Sequence, residues 1–104
     1  MPTVRAFDAT KYRDNPIAIA KYLNEALSTK NPTLISIAIG DMARAQGMTG
    51  FAKKSGVLRE SLYRSFKGHR VPAFDMVFNV LIALDLQLIM RPASKQAKAR
   101  RQKR

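Results

Sequence analysis

Two Asn-Pro dipeptides, Asn15-Pro16 and Asn31-Pro32, divide the first half of this chain more sharply than any other feature. An asparagine followed by proline is a start signal for a helix: the amide side chain caps free backbone N–H groups, and proline fits the first helical position. After the first signal, Ile19, Ala20, Leu23, Ala26 and Leu27 recur at helical spacing, which predicts a helix ending near Ser28. After the second, Leu34, Ile35, Ala38, Ile39, Met42 and Ala43 keep the same period. Gly47 then suits the residue just past a helix end, where a left-handed backbone needs no Cβ. Gly40 lies inside this helix at a cost of roughly 1 kcal/mol relative to alanine, and close helix packing is a reason to tolerate it.

Glycine and proline continue the punctuation. Thr49 is expected to cap a short helix that Gly56 ends, with Phe51 and Ala52 facing the core and Lys53 and Lys54 outward. The next helix is expected from Arg59 to Lys67, seated by Leu58, Leu62 and Phe66 and closed by Gly68. His69, Arg70 and Val71 read as a loop, and Pro72 as the opening of a last helix with Phe74, Val77, Phe78, Leu81 and Leu84 inside. The fold class is therefore all-α, a compact core of five helices. Residues 1–14 read as an extended or loose N-terminal segment with Phe7 and Tyr12 as candidate anchors, 15–91 as the folded domain, and 92–104 as a basic tail.

Past Asp85 the period changes. Residues 86–91 read as a short β-strand, with Leu86, Leu88 and Met90 on one side and Gln87, Ile89 and Arg91 on the other, or as an irregular packed segment. A lone strand leaves its backbone groups unpaired, so a strand here calls for the same strand of a second subunit or a partner's sheet edge.

The net charge is +12, from 19 Lys and Arg against 7 Asp and Glu. Arg91, Lys95, Lys98, Arg100, Arg101, Lys103 and Arg104 supply more than half of the excess, and the remainder is still basic. Such a balance favours polyanions, nucleic acid before an anionic membrane surface or an acidic protein. Cysteine is absent, which excludes disulfides, Cys-based zinc sites and thiol nucleophiles. No apolar run approaches the ~20 residues needed to span a bilayer, and the N-terminus lacks the order of a secretion signal. A cytoplasmic placement is the expectation.

Residues 49–68 carry the chemistry. Two short helices across a glycine turn form the pattern of a helix-turn-helix, with Ala52 at the crossing, Gly56 in the turn and Leu62 in the second helix. An ordinary helical hairpin is the structural alternative. In the functional reading, Arg59, Glu60, Tyr63, Arg64 and Lys67 point away from the apolar seam toward a major groove about 12 Å wide. Arg59 stands at the end of the helix that meets base edges, and its planar fork matches guanine O6 and N7. Glu60 either accepts from cytosine N4 or orients Arg64 one turn later. The Tyr63 ring packs on the scaffold while its hydroxyl reaches toward a phosphate. Lys67, Arg70 and the amides at Thr49 suit phosphate contacts, with Lys53 and Lys54 as further candidates or simply a solvated face.

The segments FDATKYRDNPIAIAKYLNEAL, NPTLISIAIGDMARAQGMTGFAKKSGVLRESLYRSF and PAFDMVFNVLIALDLQL together resemble the HigA-like addiction-module antidote proteins, within the Xre/Cro-like helix-turn-helix class. The resemblance runs from about Phe7 to Leu88. It implies a Cro/lambda-repressor-like helical domain, a homodimer on a palindromic double-stranded DNA operator, and a small RelE/HigB-like toxin partner. It also implies repression of the protein's own operon. By position, Arg59, Glu60, Ser61, Tyr63 and Arg64 fall on the operator-reading helix. The chain departs from the pattern at Gly50, where relatives commonly carry a polar residue, and at Leu58, where a serine cap is more usual. The basic tail also extends past the usual end; nonspecific phosphate attraction is its simplest role.

Two other binding functions compete, a stand-alone repressor of a mobile element and a sequence-indifferent nucleic-acid packager. An enzyme is not expected, nor is a cofactor. His69 is the sole histidine and stands in a basic loop, and Asp8, Asp14, Glu25, Asp41, Glu60, Asp75 and Asp85 are scattered without catalytic or metal spacing.

Overall fold

Both Asn-Pro signals start helices as their chemistry requires. In the computed structural model, which describes residues 8–93, α1 spans Pro16–Ser28 and α2 spans Pro32–Ala45. The Asn15 side chain accepts from the Ala18 amide at 3.2 Å, and Asn31 accepts from the amides of Thr33 and Leu34 at 3.0 and 3.3 Å. Three shorter helices follow: α3, Met48–Ser55; α4, Arg59–Ser65; and α5, Phe74–Ala83. Among the described residues the chain is all-helical, with these five α-helices, one 3-10 turn at Ala9–Lys11 and no strand.

Helix α2 is the axis of the core. Ala38, Ile39, Met42, Ala43 and Ala45 are buried along it, and it packs on α1, α3, α5 and the 3-10 turn. Ile19 and Leu23 from α1, Phe51 from α3, Leu62 and Phe66 from the α4 region, and Val80, Ala83 and Leu84 from the α5 region close around it. Removing side chains of this size from water stabilises the fold by about 1.5–3 kcal/mol each. Ser36 is also buried, and its hydroxyl donates to the Pro32 carbonyl at 2.9 Å, so the polar group is satisfied. On the outer side of α1 and α2, the Tyr22 hydroxyl donates to Asp41 Oδ2 at 3.2 Å. Burial first, and the Asp41 carboxylate second, push the Tyr22 phenol up to about 12.

Several expectations need correction. The stretch before α1 is not loose over residues 8–14. Asp8 caps the 3-10 turn, and Tyr12 packs edge-on against Tyr22 with centroids 5.2 Å apart. Gln46, at the end of α2, holds this segment from the other side. Its Oε1 accepts from the Asp14 amide at 2.9 Å, and its Nε2 donates to the carbonyls of Tyr12 and Met42, both at 3.0 Å. Phe7 lies outside the described residues, as does the tail from residue 94 on.

Thr49 does not cap α3. Gly47, at φ 88°, ends α2 and starts α3 directly, so the helix begins at Met48 without a side-chain cap and Thr49 stands in its first turn. Pro72 precedes α5 by two residues, with Ala73 as the cap. Helix α4 stops at Ser65, short of Lys67. Phe74 and Phe78 are exposed rather than inside; the inner face of α5 is Val80 and Ala83, with Val77 and Leu81 half-buried. Residues 86–91 carry no regular structure, since among the described residues no other strand offers the edge a strand needs.

Candidate nucleic-acid interface

Helix α4 is short and uncapped, so tertiary contacts must hold it. Leu62 and Phe66 supply them, each 1% exposed. The expected third member of the seam, Leu58, is 75% exposed. It occupies the N-cap with extended backbone (φ −60°, ψ 141°), so the helical register that would turn it inward has not begun.

Gly40 explains how the end of α4 comes so close to α2. A Cβ on Gly40 would lie 2.7 Å from Phe66 Cβ and 3.1 Å from the Phe66 carbonyl oxygen. Real Cβ atoms essentially never show the first separation and rarely the second, so glycine is what lets the Phe66 backbone rest on α2. The close packing anticipated for this glycine is thus present.

The turn between α3 and α4 is built from three residues. Gly56 adopts a left-handed backbone at φ 75° and donates its amide to the Ala52 carbonyl at 3.0 Å. The Ser55 hydroxyl accepts from the Val57 amide at 3.2 Å, and Val57 packs on the core. Ser55 and Val57 escaped the sequence reading. A serine just before the turn glycine is the signal that was there to find, because its hydroxyl can bridge the turn.

With its inner side fixed, α4 directs Arg59, Glu60 and Arg64 to solvent, while Ser61 and Tyr63 are half-buried. The Arg59 guanidinium lies over the Tyr63 ring, 5.6 Å from the centroid. This contact holds the arginine along the helix surface and keeps its charge exposed. The expected alternative partner for Glu60 does not appear: Glu60 and Arg64 form no ion pair among the described residues. Glu60 in the first turn and Arg64 in the last each complement the helix dipole.

Thr49 and Lys53 are exposed on α3, and Lys67 and Arg70 are exposed in the irregular segment after α4. Lys54 differs from the rest. Its Nζ donates to Asp85 Oδ2 at 3.0 Å, tying α3 to the residue just past α5. A side chain at Gly50 would meet nothing within 4 Å, so the departure there leaves open space on the α3 surface. The cleft beside Gly50 and Lys54 has a volume of about 150 Å³, below the roughly 300 Å³ of a typical small-molecule site. Among the described residues no group of His, Cys, Asp and Glu is arranged to hold a metal ion, and no helix is long and apolar enough to cross a membrane.

A family model described as probable addiction module antidote protein matches residues 3–92. The chain belongs to that antidote family. It is also 39% identical over 84 residues to an uncharacterized protein of Haemophilus influenzae, a match covering 81% of this chain and 87% of the relative. No solved structure matches. Membership makes the chain an addiction-module antitoxin and implies a toxin partner of some kind. The antidote match takes in all five helices, including the exposed face of α4.

Proposed function

We propose that the chain is a sequence-specific DNA-binding antitoxin of a type II module, of the HigA-like, Xre/Cro type. It neutralises a small RelE/HigB-like toxin and represses its own operon as a homodimer on a palindromic operator. One observation carries the reading. Helix α4 is anchored by Leu62 and Phe66, while Arg59, Glu60 and Arg64 are exposed on its outer side. A rod held from behind with guanidinium groups in front is what major-groove recognition demands.

In this reading Arg59, Glu60, Ser61, Tyr63 and Arg64 face base edges, and Thr49, Lys53, Lys67 and Arg70 face phosphates. Lys54 joins them only when released from Asp85. The net charge of +12 supplies the salt-dependent attraction that brings any duplex near.

The test is a binding titration with the protein's own promoter and a scrambled duplex at physiological salt. Arg59→Ala should lose about 1–3 kcal/mol of preference for the promoter, roughly 5- to 150-fold, with an unchanged melting curve. Toxin neutralisation by the same variant, read as growth rescue on co-expression with the adjacent reading frame, should remain intact. Equal promoter affinity in the variant and the parent would reject this assignment of the groove-facing side.

A further inference from the structure

Leu58 serves neither of the two ends that a residue at the start of α4 ordinarily serves. It does not fill the core, being 75% exposed, and its side chain caps none of the free amides of the helix. A serine in its place would do the second. Within the α3–α4 unit, residues 48–65, it is the one large apolar side chain left to solvent. A lone exposed leucine is ordinary on a protein surface. The place of this one is not. It directly precedes Arg59, and its carbonyl accepts from the Leu62 amide at 3.0 Å, which fixes it at the leading tip of the helix.

We propose that Leu58 is a specificity-determining residue, which packs on the C5-methyl group of a thymine next to the base that Arg59 reads. The inference rests on the operator reading above and adds to it a base read by apolar contact instead of hydrogen bonds.

The major groove displays one apolar group that differs between the four bases, the thymine methyl, and an apolar side chain reads it by contact. Leucine has no donor or acceptor, so it separates thymine from cytosine by that methyl alone. A hydrocarbon side chain also gains nothing from a charged phosphate, so contact of Leu58 with a duplex is favourable on the groove floor and nowhere else. The spacing fits. Successive Cα atoms lie about 3.8 Å apart and successive bases of one strand about 3.4 Å apart, so neighbouring side chains at the tip fall on neighbouring bases. The Arg59 guanidinium lies over the Tyr63 ring, 5.6 Å from the centroid and one turn further along, which leaves Leu58 uncovered. A protein partner fits this spot less well. The centre of a protein interface is depleted of charge, and Leu58 is followed directly by the exposed Arg59 and Glu60.

The experiment is a binding titration at physiological salt with the promoter duplex, and with copies in which each thymine in turn is replaced by deoxyuridine. That exchange removes the methyl and keeps the base pair. The parent should lose about fourfold in affinity at one thymine of a half-site, the worth of one buried methyl-sized group. Leu58→Ala should bind the unmodified duplex about fourfold more weakly or worse, and should lose little more when that thymine becomes deoxyuridine, so that the two losses do not add. Leu58→Ser should be equally indifferent to the methyl while melting at or above the temperature of the parent, because serine supplies the missing cap. That variant separates base reading from helix stability.

Two results would overturn the proposal and leave the Arg59 assignment standing: a promoter preference in which no thymine methyl matters to the parent, or a loss on removing a methyl that is the same in Leu58→Ala. A parent with no preference for its promoter over the scrambled duplex would overturn this proposal and the operator reading together. Unchanged promoter binding by Leu58→Ala combined with weakened binding of the purified toxin would also overturn it, and would assign Leu58 to the toxin contact.

Discussion

Helices α4 and α5 use the same device on the inside and opposite devices on the outside. Each presses two or three apolar side chains into the core: Leu62 and Phe66 for the first, Val80, Ala83 and Leu84 for the second. Away from the core, α4 shows Arg59, Glu60 and Arg64, while α5 shows Phe74, Phe78 and Ile82. A charged outer face is stable in water as it stands. An apolar outer face on a small basic domain is unfavourable unless something covers it. The contrast teaches that burial alone does not tell which face of a helix is finished. The charge pattern of the outer face does, and here it divides the molecule into a side suited to a polyanion and a side suited to a protein.

The largest expected effect sets two phenylalanines against each other. Phe66→Ala empties a fully buried site and should destabilise the fold by about 3–5 kcal/mol. For a domain of this size that lowers the melting temperature by well over ~10 °C. Phe74→Ala, on the exposed stripe, should change the stability of the monomer by no more than about 0.5 kcal/mol. Thermal melts at a concentration low enough to hold the chain monomeric make the comparison. Similar losses in the two variants would mean that α5 has no unfinished face.

A smaller effect is expected at the glycines. Gly40→Ala places a Cβ against the Phe66 Cβ and carbonyl, neither of which is a flexible chain end. The strain costs about 1–3 kcal/mol, partly offset by alanine's helix propensity of roughly 1 kcal/mol. The net result should be a loss of stability, with the end of α4 displaced from α2. Gly50→Ala, in open space on α3, carries the propensity gain without the strain and should raise stability by up to about 1 kcal/mol. Denaturant midpoints for the two variants should therefore move in opposite directions. A gain in both would show that α2 and α4 part easily, and that α4 is less firmly seated than Phe66 suggests.

What the sequence revealed and what it hid follow from the range of the forces involved. The starts of α1 and α2 were legible because an Asn-Pro cap acts within three or four residues. The breaks at Gly47, Gly56 and Gly68 were legible for the same reason: each takes a positive φ that glycine alone adopts freely. The exposed side of α4 could be read because a guanidinium is rarely buried unpaired. Phe74 and Phe78 were misread because helical period places apolar residues on faces without saying which face meets the core. Val80 and Ala83, smaller and less conspicuous, hold the position assigned to them. Leu58 had the right spacing but the wrong backbone, extended where the seam required a helix. The Gln46 clamp on the Tyr12–Asp14 segment joins residues more than thirty positions apart, and no local pattern announces it.

The smallest expected effect joins the two regions. Asp85 ends the α5 segment in a left-handed backbone (φ 64°), and its carboxylate accepts from Lys54 on α3. Both side chains are more than half exposed, so the pair is screened by solvent and contributes no more than about 0.5 kcal/mol. Asp85→Asn keeps a residue that tolerates the left-handed backbone and removes the charge that holds Lys54. Stability should therefore barely move. The freed lysine, with one negative charge gone, should strengthen binding to any duplex and steepen the log-log salt slope by up to about 0.9, the contribution of one added phosphate contact. A salt titration of a scrambled duplex measures this without reference to the operator. An unchanged slope would place Lys54 outside the polyanion face and narrow that face to α4 and the residues that follow it.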